Sequence, residues 1–77
     1  MNWNQLQYVL TIAQEKNITK AAQKLYLSQP SLSMSMKSLE QELGTALFER
    51  KNGTLSLTYA GELFCHWATT TLRSQQI

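Results

Sequence analysis

The sequence predicts a small, mainly helical domain that carries one two-stranded β ribbon. Two observations indicate this class. Apolar residues recur at helical spacing in four separate segments, and an Asn52-Gly53 pair, a strong signal for a hairpin turn, lies between two short apolar segments. The 77 residues suffice for one domain with a thin core, and a composition of 43% apolar and 16% charged residues leaves some apolar surface for an interface.

The first predicted helix is a core helix. It runs from about Asn4 to Lys16, and Asn2 or Asn4 is its predicted N-cap. Its apolar stripe begins at Trp3 and continues through residues 6, 9, 10 and 13. Because this stripe is apolar, we expect the helix to pack inward. It carries no residues suited to catalysis.

A short second helix is predicted from Lys20 to residue 25 or 26, with Thr19 as its N-cap. The inward positions include Ala21 and Ala22, whose small side chains allow a close approach between helices. Lys20 and Lys24 are expected to point outward. Only Leu27 and the next cap separate this helix from the third.

The third predicted helix, from Ser28 to Gly44, has both ends marked. Ser28 is the N-cap, Pro30 lies in the first turn, where a missing N–H is harmless, and Gly44 closes the C-terminus. Apolar residues at positions 32, 36, 39 and 43 form one stripe. The opposite face is rich in short hydrogen-bonding side chains and holds no carboxylate before Glu40. Such a face can approach DNA closely; the alternative is a surface helix with a run of serines.

The second and third helices together match a helix-turn-helix layout, in which a tight turn joins two helices. The alternative is a helical hairpin inside a bundle. The distribution of charge favours the first interpretation, because the segment from Lys16 through Lys37 contains four lysines and no acidic residue. Although the formal net charge is only +2, one end of the domain should be positive, as expected of a surface that binds nucleic acid.

A two-stranded ribbon is predicted directly after the third helix. Residues 46–51 form its outgoing strand, and residues 55–57 alternate as the return strand. A ribbon in this position is a wing, and Arg50 and Lys51 would contact the DNA backbone or the minor groove. The alternative is that the two charges only keep an edge strand from pairing.

The last predicted helix runs from Tyr59 to the chain end, with Thr58 as its cap. Apolar residues cover more of its circumference than one core stripe needs, so we expect one side to pack inward and the other to meet a second subunit. The alternative is a single broad stripe that frays past Leu72. The predicted dimer-interface residues are Leu63, Phe64, Trp67, Ala68, Thr71 and Leu72.

Together these motifs resemble the N-terminal winged helix-turn-helix domain of the LysR-type transcriptional regulators. The resemblance covers about residues 3–72 and rests on Ala21-Ala22 with Leu25, the run from Ser28 to Ser33, Leu39 to Gly44, Leu47 to Arg50, and Leu57-Thr58 followed by Ala60-Gly61. It implies a bacterial homodimer that binds an interrupted inverted repeat in double-stranded DNA. Residues 1–58 would be the winged helix-turn-helix DNA-binding domain, and residues 59–77 would begin the linker and dimerisation helix. The recognition helix, about 28–43, would lie in the major groove, and the wing, about 48–57, on the backbone or in the minor groove.

The residues predicted to contact DNA are Lys20, Lys24, Ser28, Gln29, Pro30, Ser31, Ser33, Met34, Lys37, Arg50 and Lys51. The chain departs from the family pattern at two positions. The family usually places an arginine where this chain has Met34, and often a second one at the wing tip, where this chain has Gly53-Thr54. We expect weaker binding or a different base preference, and Met34 would suit a thymine methyl group.

Other functions find little support in the sequence. The chain has no aspartate, one histidine, one cysteine and no glycine-rich phosphate loop, so we expect no enzymatic activity, metal site or cofactor. The remaining alternative is a winged helix that docks proteins. The lone Cys65 and the lack of a long apolar run predict a cytoplasmic location away from membranes. Because the sequence ends within the predicted linker helix, we expect it to contain neither the effector domain nor the inducer site of this family. Two alternatives are open: an excised domain or a naturally truncated protein.

Overall fold

Residues 1–74, which the computed structural model describes, form four helices and one two-stranded antiparallel sheet. The elements are α1 (Trp3–Glu15), α2 (Ile18–Lys24), α3 (Gln29–Leu43), β1 (Phe48–Lys51), β2 (Thr54–Leu57) and α4 (Tyr59–Ser74). This arrangement is a winged helix-turn-helix followed by a further helix, so the predicted fold class is confirmed. The predicted continuation of the last helix to the chain end concerns residues 75–77, which lie outside the described residues.

Helix α1 begins with a capping box. The Asn2 side chain accepts a hydrogen bond from the Gln5 backbone N–H at 3.0 Å, and the Gln5 side chain accepts one from the Asn2 backbone N–H at 3.1 Å. The helix therefore begins at Trp3. Trp3 is half exposed, at 51%, so its predicted place in the core stripe is wrong. Gln5 and Leu6 are the residues that the first turn of α1 buries, and Trp3 lies on another side of that turn.

The N-cap of α2 is Asn17 and not Thr19. The Asn17 side chain accepts a hydrogen bond from the Lys20 backbone N–H at 2.9 Å, and the helix spans Ile18–Lys24. Because Asn17 occupies the cap, Thr19 lies inside the first turn. The two alanines, Ala21 and Ala22, are buried as predicted and allow α2 to pack closely on its neighbours.

Both predicted caps of α3 are confirmed. The Ser28 hydroxyl accepts a hydrogen bond from the Ser31 backbone N–H at 3.2 Å, and Gly44, with a φ of 74°, donates its N–H to the Glu40 carbonyl at 2.9 Å. Residues 32, 36 and 39 of the apolar stripe are buried, whereas Leu43 is partly exposed at the end of the helix.

The wing also forms as predicted. Strands β1 and β2 pair in antiparallel register, with Arg50 opposite Leu55 and Lys51 opposite Thr54. Asn52 and Gly53 join them with φ values of 53° and 77°. Two consecutive positive φ values are typical of the type I′ turn, which suits the right-handed twist of a short hairpin.

The start of the wing is hydrogen-bonded to α3 through one side chain. A Glu40 carboxylate oxygen accepts hydrogen bonds from the backbone N–H of Leu47 at 2.6 Å and of Phe48 at 3.3 Å. Leu47 is itself buried in the core. Glu40 therefore fixes where the wing leaves α3.

Helix α4 packs closely against the same segment. Its cap residue Thr58 donates its backbone N–H to the Leu47 carbonyl at 3.0 Å and its hydroxyl to the Ala46 carbonyl at 2.7 Å. A Cβ placed on Gly61 would stand 2.1 Å from the Leu47 carbonyl oxygen, so only glycine permits this approach. The core that these elements enclose comprises Val9, Ile12, Ala21, Ala22, Leu32, Met36, Leu39 and Leu47.

Candidate nucleic-acid interface

The outer face of α3 presents the side chains that the sequence predicts for base contacts. Gln29, Pro30 and Ser31 are exposed, and Ser33 is half-buried. Met34 is 73% exposed, a high value for an apolar side chain in the middle of a helix that has a buried stripe. The helix thus combines hydrogen-bonding groups with one apolar group on the surface that faces away from the core.

Gln29 is held by a neighbour one turn along the helix. Its amide nitrogen donates a hydrogen bond to the Ser33 hydroxyl at 2.8 Å. This bond uses one of the two amide hydrogens, so the second hydrogen and the amide oxygen remain available for another partner. A donor and an acceptor side by side match the N7 and N6 positions of adenine in the major groove.

The role of Ser28 is mainly structural. Its hydroxyl donates a hydrogen bond to the Ser31 hydroxyl at 2.8 Å and also accepts the Ser31 backbone N–H that caps the helix. The Ser31 hydroxyl keeps its own hydrogen for donation. Of the two predicted contact residues, Ser31 therefore offers the better donor to an incoming phosphate.

Four of the five predicted phosphate-binding cations are exposed and form no salt bridge with another described residue. The exception is Lys24, whose ammonium lies 2.9 Å from a Glu15 carboxylate oxygen. Glu15 directly precedes the acid-free segment, and the pairing joins α1 to α2, so no local pattern in the sequence predicts it. The four exposed cations are Lys20, Lys37, Arg50 and Lys51.

The predicted dimer-interface residues of α4 divide between two sides of the helix. Leu63 and Trp67 are about half exposed, and Phe64 lies beside Trp67 with the ring centroids 5.7 Å apart. Ala68 is fully buried within the chain, so its predicted place on an exposed interface is wrong: at this position α4 turns its inward face to the core. Thr71 and Leu72 are half-buried, and Leu72 lines the groove between α4 and α1.

Apolar residues from the first residue of the chain, from α1 and from α3 extend the exposed side of α4. Met1 and Leu43 line one depression with α4 residues, and Met1 and Trp3 line a second one beside Trp67. The sequence did not predict this extension, because it joins residues that are far apart in the chain. The apolar face consists of Met1, Trp3, Leu43, Leu63, Phe64 and Trp67.

Two kinds of site are not formed by the described part of the chain. Within residues 1–74, no group of three or more histidine, cysteine, aspartate or glutamate side chains is placed to hold a metal ion. No helix in the same range is long and apolar enough to cross a membrane.

Burial raises the pKa of the Cys65 thiol, and His66 beside it is exposed.

The fold and the outer face of α3 define the class of the protein: a winged helix-turn-helix domain of the kind that binds DNA. Residues 3–62 match the family described as bacterial regulatory helix-turn-helix proteins, lysR family. The chain belongs to this family.

Named relatives are transcriptional regulators. The chain is 52% identical over 65 residues to the HTH-type transcriptional regulator BsdA of Bacillus subtilis, covering 83% of this chain and 22% of BsdA. It is 40% identical over 77 residues to ClcR of Pseudomonas putida, covering all of this chain and 26% of ClcR. The chain thus spans about a quarter of the length of these two regulators.

Solved structures with DNA resemble the chain over nearly all of its length. The crystal structure of the CbnR DNA-binding domain with DNA is 36% identical with a TM-score of 0.91, and the match covers 99% of this chain and 87% of that one. The complex of the BenM DNA-binding domain with catB site 1 DNA is 36% identical with a TM-score of 0.93, covering 99% of this chain and 82% of that one.

Proposed function

We propose that this chain is the DNA-binding part of a LysR-type transcriptional regulator, and that it binds a specific double-stranded DNA sequence as a homodimer. The observation that carries the proposal is the outer face of α3, where Gln29 and Met34 stand exposed while the opposite stripe is buried. Residues 1–58 would make the DNA contacts, and the helix from residue 59 onward would link and dimerise two copies.

In the proposed complex, α3 enters the major groove with its N-terminal turn against the base edges. Gln29, steadied by Ser33, pairs with adenine through its amide oxygen and its second amide hydrogen. Met34 packs its terminal methyl group against a thymine methyl. Where the family commonly has arginine, this contact exchanges a charged hydrogen bond for an apolar one, and therefore changes the preferred base at one position.

Contacts with phosphates would fix the register of the protein on the duplex. Lys20 lies on α2 and Lys37 on α3, and Arg50 and Lys51 lie on β1 of the wing. Lys24 contributes less net positive charge because it is bonded to Glu15. Such contacts contribute affinity without sequence preference, and they make that affinity depend on salt.

The apolar face is the surface that we propose for dimerisation. It is formed by three helices and contains two tryptophans, residue types that concentrate at the centres of protein interfaces. A twofold dimer presents two recognition helices to successive major grooves, which explains the expectation of an inverted repeat.

Relatives named as transcriptional regulators also favour a non-enzymatic role for this chain and a site of action in the cytoplasm, where bacterial DNA lies.

Selection from a random duplex library tests the proposal. Binding should enrich duplexes that carry an interrupted inverted repeat with half-sites about one helical turn apart. With a selected duplex, Gln29→Ala should weaken binding by about tenfold or more, the value of one bidentate base contact. Gln7→Ala, at an exposed glutamine of α1, is the matched control and should leave affinity unchanged. A well-folded protein that enriches no sequence would contradict the proposal and favour a protein-docking function.

The part assigned to Met34 has its own test. Replacing the contacted thymine by uracil removes only the methyl group, so it should weaken binding by the wild-type chain. The same replacement should have no effect on Met34→Ala, which has already lost the contact. If uracil weakens both proteins equally, the thymine methyl group is not recognised by Met34.

A further inference from the structure

Tyr26 occupies a backbone conformation that rarely suits its side chain. It follows α2 with a φ of 58°, in the left-handed region. The Leu27 backbone N–H donates to the Ala22 carbonyl at 2.9 Å, and the Tyr26 N–H donates to the Gln23 carbonyl at 3.2 Å. The i→i−5 bond from Leu27 is typical of a Schellman-type helix end, whose left-handed residue is usually glycine because any Cβ there is crowded.

The Tyr26 side chain does not contribute to the packing of the fold. It is 95% exposed, and its hydroxyl forms no hydrogen bond with another residue in the described range 1–74. A tyrosine at this position therefore strains the backbone without burying its ring. Glycine would suit the folded chain better, and no contact within the described residues accounts for the tyrosine.

The position of Tyr26 points to a contact outside the chain. It lies two residues before the cap Ser28, in the turn of the helix-turn-helix. When the N-terminal end of a recognition helix points into the major groove, the turn before it lies at the edge of the groove, beside the sugar–phosphate backbone. The cation nearest in sequence, Lys24, is already bonded to Glu15, which leaves a neutral donor as the group available to a phosphate there.

We propose that the Tyr26 hydroxyl donates a hydrogen bond to a DNA phosphate oxygen at the edge of the major groove. The inference rests on the proposed function, since it requires α3 to bind in that groove. It adds a contact that carries no charge. Such a contact strengthens binding without releasing a counterion, so its loss should not change the dependence of affinity on salt.

The test uses the full 77-residue chain and a fluorescent duplex of mixed sequence, about 25 base pairs long, which is sufficient because phosphate contacts do not depend on sequence. Tyr26→Phe should weaken binding about tenfold for each subunit, and so about 100-fold for a dimer, as expected for a hydrogen bond to a charged group that is lost twice. The salt slope should not change. Lys37→Ala should instead reduce the slope by about 1 for each subunit. Tyr59→Phe, at another exposed tyrosine, is the matched control and should change neither quantity.

Tyr26→Gly separates binding from folding. It relieves the left-handed strain, so the melting temperature should rise by about 4 °C. Affinity for the duplex should nevertheless fall at least as far as for Tyr26→Phe. If Tyr26→Phe and Tyr26→Gly bind the duplex as tightly as the wild-type chain while Lys37→Ala binds more weakly, the Tyr26 contact is overturned. The proposed DNA-binding function is then unaffected. Absence of duplex binding by the wild-type chain at low salt would overturn the proposed function, and the Tyr26 contact with it.

Discussion

Replacing Glu40 tests how the wing is held against the recognition helix. Its carboxylate accepts hydrogen bonds from two backbone N–H groups at 2.6 and 3.3 Å, and both belong to the segment that enters β1. Alanine would leave these donors unpaired in a half-buried place. A hydrogen bond to a charged group contributes about 1.5–3 kcal/mol, and we take the low end because Glu40 is partly exposed and the second bond is long.

Glu40→Ala should therefore lower the free energy of unfolding by about 2 kcal/mol, which corresponds to a fall of roughly 10 °C in melting temperature for a domain of this size. Glu40→Gln keeps an acceptor oxygen and loses the charge, so it should cost about 1 kcal/mol. Denaturant unfolding followed by circular dichroism measures both values.

Glu42 provides the control on the same helix. Its carboxylate bonds the Met1 amino group at 2.6 Å, but this pair is exposed, and such pairs contribute little. Glu42→Ala should change the free energy of unfolding by less than about 0.5 kcal/mol. Equal losses for Glu40→Ala and Glu42→Ala would refute the assignment of Glu40 as the residue that holds the wing.

Three further changes probe other parts of the chain. Gly61→Ala should lower the free energy of unfolding by about 2–3 kcal/mol in denaturant unfolding, because its Cβ would stand 2.1 Å from the Leu47 carbonyl oxygen. A loss below about 0.5 kcal/mol would show that α4 can move away freely. Trp67→Asp places a charge in the apolar face and should raise the dimer dissociation constant at least about 100-fold in light scattering, whereas an unchanged mass would place the dimer contact elsewhere. Because burial raises the pKa of the Cys65 thiol, less thiolate exists at neutral pH, and iodoacetamide should alkylate the folded chain more slowly than the urea-unfolded chain; equal rates would contradict this.

Local signals in the sequence predicted α3 and the wing well. Ser28 and Gly44 mark the ends of one helix, and Asn52-Gly53 demands one kind of turn, so none of these features depends on distant residues. The N-cap of α2 was mistaken because two capping residues, Asn17 and Thr19, lie within one turn, and either satisfies the local pattern.

Features that join distant parts of the chain could not be predicted in the same way. The hydrogen bonds from Glu40 to the wing and the pairing of Lys24 with Glu15 arise only when separate elements meet. Ala68 was assigned to an interface because a helix with apolar residues around most of its circumference does not reveal which side meets the core. The sequence does not single out Tyr26, because a positive φ cannot be predicted from a tyrosine in a short turn.

The most direct test of DNA binding is a fluorescence anisotropy titration of a mixed-sequence duplex across a series of salt concentrations. Four exposed cations on each subunit, Lys20, Lys37, Arg50 and Lys51, would neutralise about eight phosphates in a dimer, so log affinity should fall against log salt concentration with a slope of about −7. A slope near zero, or no binding by the folded chain at low salt, would contradict the proposed DNA-binding function.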